Sequence, residues 1–142
     1  MDFSDDSAGE YEINIFSKEV FSPNEIYDKI LNDRSSVTHD EITLLDDYVS
    51  AVPVNNIEDL RNIVLFYSDN YQRNSMNWLN VSEITQMVSL FQHTRYTGSI
   101  SKWDVSNVTN MHGMFMESVF DNDISGWDVS NVIEMGHMFA FS

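Results

Sequence analysis

The chain has 142 residues, 42% of them apolar and 13% aromatic, with 5 Gly and 2 Pro; this composition excludes a disordered or low-complexity tract and suits one domain with a packed core. Its 23 acidic residues outnumber 7 Lys and Arg for a net charge of −16, which argues against direct binding to nucleic acid or anionic membranes and favours a basic protein surface as partner. The absence of cysteine excludes disulfides, thiolate zinc sites and cysteine nucleophiles.

The start, Met1-Asp2-Phe3-Ser4-Asp5-Asp6, has no basic residues ahead of an apolar run and does not read as a secretory signal. No apolar run is long enough to span a bilayer. The expectation is a cytoplasmic protein, or one of the cell surface if the chain is a fragment of something exported.

Residues 1–53 carry 13 acidic and 3 basic residues and read as an acidic helical capping segment. Glu12-Ile13-Asn14-Ile15-Phe16 has the pattern of a short strand. Ser22-Pro23-Asn24-Glu25 is a capping box with Pro at the first helical position; it predicts a helix through Leu31 with Ile26, Ile30 and Leu31 inward. Thr38-His39-Asp40-Glu41 is a second box. Its helix is predicted to carry Ile42, Leu45, Val49 and Val52 on one stripe and to end at Pro53.

From residue 54 onward the chain repeats itself. Trp103-Asp104-Val105-Ser106-Asn107-Val108 recurs as Trp127-Asp128-Val129-Ser130-Asn131-Val132, a step of 24 residues. Walked backwards, the step gives four copies, about 54–78, 79–102, 103–126 and a partial 127–142. Five columns stay apolar throughout: Ile57/Val81/Val105/Val129, Leu60/Ile84/Val108/Val132, Ile63/Met87/Met111/Met135, Phe66/Leu90/Met114/Met138 and Tyr67/Phe91/Phe115/Phe139. A polar column holds Asn56, Asn80, Asp104 and Asp128, and a mostly amide one holds Asn62, Gln86, Asn110 and Glu134.

A unit of 24 residues cannot bury its own apolar face, whereas stacked neighbours line equivalent residues into continuous internal ladders. The fold class expected is α/β: a short leucine-rich-repeat-like solenoid of strand–helix coils with an α-helical N-terminal cap. The extended part is placed at Asp123–Val129 and the helical part around Met111, Met114 and Phe115. Asp104 and Asp128 are placed at turns, where their side chains satisfy local N–H groups. Trp103 and Trp127 are placed in the core rather than on a sugar- or base-stacking surface.

The run Trp103-Asp-Val-Ser-Asn-Val-Thr-Asn-Met-His-Gly-Met-Phe115, followed by Phe120-Asp-Asn-Asp-Ile-Ser-Gly-Trp127, resembles the repeat of BspA-type bacterial surface proteins. The likeness is close over 99–142, loose over 54–98, and does not extend to 1–53. It implies a leucine-rich-repeat-like solenoid and a role in protein contact. Members of that family are usually exported and carry many copies, whereas no export signal is read here.

No catalytic, cofactor-binding or metal constellation is expected. His39, His93, His112 and His137 fall in different columns or outside the array. Asp121-Asn122-Asp123-Ile124-Ser125-Gly126 imitates the start of a calcium loop, but Val132 stands where the bidentate Glu belongs. The sequons at Asn80-Val81-Ser82 and Asn107-Val108-Thr109 are by-products of the repeat unless the protein is secreted from a eukaryote. The function expected is a non-enzymatic protein–protein interaction scaffold of bacterial or phage origin. The alternative is an acidic inhibitor that mimics nucleic-acid charge and occupies the basic groove of a host defence or nucleic-acid-binding enzyme. The candidate contact residues are Asp28, Asp33, Asp40, Asp46 and Asp47 at the front and Met138, Phe139 and Phe141 at the back. The apolar residues at the back suggest a homo-oligomer paired through that end, a partner that covers it, or a chain cut from a longer array.

Overall fold

A computed structural model of the chain describes residues 21–142; the strand expected at 12–16 lies outside the described residues. Both capping boxes form. Ser22 Oγ accepts from the Glu25 N–H at 3.2 Å while Glu25 Oε1 accepts from the Ser22 N–H at 2.8 Å, opening α1 (Pro23–Asn32). Thr38 and Glu41 make the same reciprocal pair at 3.2 and 2.8 Å, opening α2 (His39–Leu45), with a 3-10 turn over Arg34–Ser36 between the helices. Lys29 Nζ reaches Glu41 Oε2 at 2.7 Å and ties α1 to α2. Ile26, Ile30, Ile42 and Leu45 are fully buried.

The second helix is shorter than expected. It stops at Leu45 rather than Pro53, and Val49 is exposed. A residue before proline is pushed out of the α region by the pyrrolidine ring, and Val52 accordingly turns extended. Val52 and Pro53 form β1, which pairs in parallel with β2 (Leu79–Asn80). Proline fits there because the ladder takes its donors from Ala51, Val52 and Val54, to Trp78 O and Asn80 O at 2.7–3.1 Å.

The first copy is mostly helix: α3 runs from Ile57 to Asn70, capped by Asn56 Oδ1, which accepts from the Asp59 N–H at 2.9 Å. The helix expected in every copy is found in this one alone among the described residues; 81–142 run as short turns. Positive φ recurs with the repeat and gives the reason. Ser89, Gly113 and His137 have φ of 56°, 63° and 57°, and His93, Glu117 and Phe141 have φ of 63°, 55° and 61°. Left-handed residues end a helical turn instead of extending it, so each of these copies is broken twice. The matching positions of the first copy, Leu65 and Asp69, lie inside α3.

Consecutive copies are joined by backbone hydrogen bonds in one constant register. Met87, Ser89, Phe91 and His93 donate to Asn110, His112, Met114 and Met116 at 2.8–3.4 Å; Met111, Gly113, Phe115 and Glu117 donate to Glu134, Gly136, Met138 and Ala140 at 2.8–2.9 Å. In the other direction Thr109 donates to Thr85 and Ile133 to Thr109 at 2.8 and 2.9 Å. The parallel bridges fall in the amide column, Gln86–Asn110–Glu134, and not at 123–129, where no strand forms. Asp123–Val129 is held instead as a turn: Asp123 Oδ1 accepts from the Ser125 N–H at 2.8 Å.

Side chains repeat as strictly as the backbone. Phe91–Phe115 and Phe115–Phe139 stack at 5.3 and 5.4 Å, Trp103–Trp127 at 6.5 Å, and Tyr96–Phe120 at 6.5 Å. Trp103 and Trp127 are buried, and each indole N–H donates to a carbonyl 27 positions earlier, Met76 O at 2.8 Å and Ile100 O at 3.1 Å. Trp78, one place out of column, is fully buried and donates to the Tyr67 hydroxyl at 2.9 Å.

Candidate interaction surfaces

The acidic surface separates into carboxylates that hold the fold and carboxylates that do not. In the polar column, Asn80, Asp104 and Asp128 each accept, at 3.0 Å, from the N–H two residues on, at Ser82, Ser106 and Ser130. Glu134 does the same for Gly136 at 2.7 Å, as Gln86 and Asn110 do for Val88 and His112 at 3.0 Å. At the three carboxylates these bonds favour the ionised form. The Ser106 hydroxyl and N–H hold the Asp104 carboxyl below its ordinary value, and the Ser130 hydroxyl and N–H do so for Asp128. The Ser125 N–H holds Asp123 down and the Gly136 N–H holds Glu134 down, the latter helped by His112. Burial pushes the Glu41 carboxyl up, but the Lys29 ammonium and the Thr38 N–H outweigh it and leave it lowered.

Of the front candidates, Asp28, Asp33, Asp40 and Asp47 are exposed, and their carboxylates make no hydrogen bond or ion pair among the described residues. Asp46 differs. Its two oxygens accept from the Asn74 side chain and the Ser75 N–H, both at 2.9 Å, so it fastens the end of α2 to the turn that closes the first copy. It is a structural carboxylate, a role its sequence neighbours gave no sign of.

At the back, Phe139 and Phe141 are 53% and 87% exposed, whereas Met138 is buried. Sequence reasoning placed Met138 with the two phenylalanines because all three are apolar. In fact it points into the array, and its carbonyl accepts from Phe115 at 2.8 Å. Two residues it passed over belong to this face, Ile133 at 89% and Met135 at 42% exposure. Both stand in repeat columns whose earlier members, Thr109 and Met111, contact the following copy; that column position is the signal that could have found them.

The polar groups of this face are as distinctive as the apolar ones. The N–H groups of Met135, His137, Phe139 and Phe141 occupy the donor positions used by Met111, Gly113, Phe115 and Glu117 one copy earlier, and they have no acceptor among the described residues. The carbonyls of Met135, His137 and Phe139 turn back on the chain, accepting from Met138, Ala140 and Ser142 at 3.2 Å. The edge is therefore a comb of donors beside exposed Phe139.

No histidine takes part in a metal cluster: among the described residues no three His, Asp or Glu side chains converge for one. His112 and His137 lie edge to face at 5.4 Å, and His93 meets Glu117 at 3.0 Å, all on the surface. The calcium-like run has Asp123 committed to Ser125 and Asn122 donating to Thr97 O at 3.1 Å. A shallow depression of about 240 Å³ lies between the start of α3 and the second copy, lined by Asn55, Asn56, Ile57 and Glu83–Gln86. Among the described residues no helix is long and apolar enough to cross a membrane.

Sequence and surface together define a repeat protein whose copies stack in one register behind an acidic helical front. The chain belongs to the family described as Mycoplasma protein of unknown function, DUF285, whose pattern matches residues 40–142. No curated protein and no solved structure matches it.

Proposed function

We propose that this protein is a non-enzymatic protein–protein interaction module of bacterial or phage origin, built as a short leucine-rich-repeat-like solenoid and related to the BspA-type surface repeats that 103–127 resemble. The solenoid reading is supported by the constant register of backbone bonds between copies. The observation that carries the function is the array itself: its copies stack in one register and set equivalent exposed side chains, such as Thr85, Thr109 and Ile133, in a row along one flank. Such rows make up the extended surfaces through which repeat arrays bind protein partners.

A second reading, the acidic inhibitor, is favoured by the exposed carboxylates of Asp28, Asp33, Asp40 and Asp47, which have no partner among the described residues. The two readings use different faces of the described residues. Cross-linking in the source cell, followed by mass spectrometry, compares the native protein with Ile133→Lys/Phe139→Lys and with Asp28→Asn/Asp33→Asn/Asp40→Asn/Asp47→Asn. Loss of the same partner in the first variant alone supports docking on the array; loss in the second alone, with strong salt dependence, supports charge mimicry. Partners unchanged in both would overturn the interaction module.

A further inference from the structure

We infer that the depression between the start of α3 and the second copy grips an extended segment of a partner protein, through one backbone carbonyl and a Lys or Arg side chain beside it. This rests on the interaction-module reading and names a contact within it. The later junctions show how the turn at this place is closed elsewhere in the array. The Thr109 and Ile133 N–H groups donate to the carbonyls of Thr85 and Thr109, one copy back, at 2.8 and 2.9 Å. The Asn107 and Asn131 side chains donate to the carbonyls of Ser82 and Ser106 at 2.8 and 2.7 Å. Each later junction is thus bridged twice within one turn.

The first junction lacks both bridges. By the same register the Thr85 N–H faces Arg61, and position 83 faces Glu58; both lie inside α3. Their carbonyls are spent on the N–H groups four residues further along the helix. The Thr85 N–H therefore has no acceptor among the described residues. The place of Asn107 and Asn131 is held here by Glu83, whose carboxylate only accepts. Where the bridges are missing, the structure leaves the depression of about 240 Å³, with Glu83 and Thr85 on one wall and Asn55 on the other.

An occupant completes what α3 leaves unmade. It gives the Thr85 N–H a carbonyl, as Thr85 and Thr109 do for the next copy, and it gives Glu83 a donor. Glu83 is the one charged side chain among the described residues of the lining. A cationic donor suits it best, because a charge-assisted hydrogen bond is about twice as strong as a neutral one. Size separates a stretch of chain from a cofactor: 240 Å³ falls below the roughly 300–1,000 Å³ of sites for drug-sized ligands. Extended backbone with one basic side chain supplies both groups. Thr85 also begins the exposed row Thr85–Thr109–Ile133, so a segment seated here continues along the flank of the array.

The test uses the full 142-residue chain with amide resonances observed by NMR. Two capped peptides, Gly-Ser-Lys-Ser-Gly and Gly-Ser-Gln-Ser-Gly, are titrated to about 10 mM, enough to saturate a contact of millimolar affinity. The expected result is saturable shifts at the amides of Asn55, Thr85 and Gln86, with the Lys peptide binding at least about threefold tighter at low salt. In Glu83→Gln, a change at an exposed position, the two peptides should bind alike while Tm stays where it was. No saturable shift at Thr85, equal affinity of the two peptides for the native chain, an advantage that survives Glu83→Gln, or shifts centred on α1 and α2 would overturn the inference. If it is overturned while the cellular partner is still lost in Ile133→Lys/Phe139→Lys, the interaction module stands and only this contact falls. Binding centred on Thr85, with cross-linked partners unchanged in both cellular variants, would keep the site and remove the module.

Discussion

Replacing Gly98 by Ala strains a close approach of two successive copies, whereas the same change at Gly126 meets open space. A methyl group on Gly98 would overlap the Asn74 carbonyl oxygen and lie 2.5 Å from the Tyr96 hydroxyl, which itself donates to Asn74 O at 2.7 Å. Tyr96 is fully buried, and its ring stacks 5.7 Å from Phe91 and 6.5 Å from Phe120, so it has nowhere to retreat. Breaking the hydroxyl bond of a buried tyrosine costs about 1–3 kcal/mol, and forcing a methyl group into a packed contact costs about the same again. Gly98→Ala should therefore lose about 2–6 kcal/mol, a large part of the stability of a domain this size. At Gly126 nothing lies within 4 Å of the added carbon, and Gly126→Ala should stay within about 0.5 kcal/mol of the parent or gain slightly through a stiffer unfolded chain. Urea unfolding followed by tryptophan fluorescence measures both; at an m-value of about 2 kcal/mol/M the Gly98 variant shifts its midpoint down by about 1–3 M. A Gly98 variant as stable as the Gly126 one would refute the close approach of residues 74, 96 and 98.

Three further outcomes are expected. Phe115→Ala, which empties the middle of the Phe91–Phe115–Phe139 stack, should cost about 3–5 kcal/mol by the same urea titration. Tyr67→Phe leaves the buried Trp78 indole N–H without its acceptor and should cost about 1–3 kcal/mol, whereas Tyr48→Phe, at an exposed position, should be neutral. Acid should destabilise the protein in a definite window. The carboxyls of Glu41, Asp104, Asp123, Asp128 and Glu134 are lowered in the fold, so the stability they confer is complete above the ordinary carboxyl range and is lost as pH falls through the lowered values. Thermal scans should show Tm falling below about pH 4. Glu41→Gln should remove part of that slope, and a slope unchanged in this variant would argue against the Lys29–Glu41 bond.

What was legible in the sequence was period and polarity. The columns Leu60/Ile84/Val108, Ile63/Met87/Met111 and Tyr67/Phe91/Phe115 are all buried, because equivalent positions of a stacked repeat share one environment. The reciprocal caps at Ser22 and Thr38 were legible because a capping box is local chemistry. Conformation within a copy was not. Spacings of three and four, as in Met111–Met114–Phe115, fit a continuous helix and a series of single turns equally well. The choice falls to the residues between the columns. Leu65 lets α3 continue, while Ser89, Gly113 and His137 at the same place take positive φ and stop it. Gly113 is the one visible signal, since serine and histidine do not announce a left-handed backbone. Among the candidate contact residues, Phe139 and Phe141 were legible as apolar residues of the last copy. Met138 and Asp46 were not, because whether a side chain faces the array or fastens a turn depends on partners far away in sequence, Phe115 and Ser75.

The constant register of the copies is the claim on which the rest depends, and the lack of native cysteine makes it directly measurable by engineered disulfides. Thr85 and Thr109 are exposed neighbours joined by the Thr109 N–H at 2.8 Å, and Ile133 follows one copy further on. Adjacent strands lie about 4.8 Å apart, within disulfide reach, and positions two copies apart lie near about 10 Å, beyond it. Oxidation should cross-link Thr85→Cys/Thr109→Cys within the monomer and leave Thr85→Cys/Ile133→Cys as free thiols; failure of the first pair, or closure of the second, would contradict the stacked register.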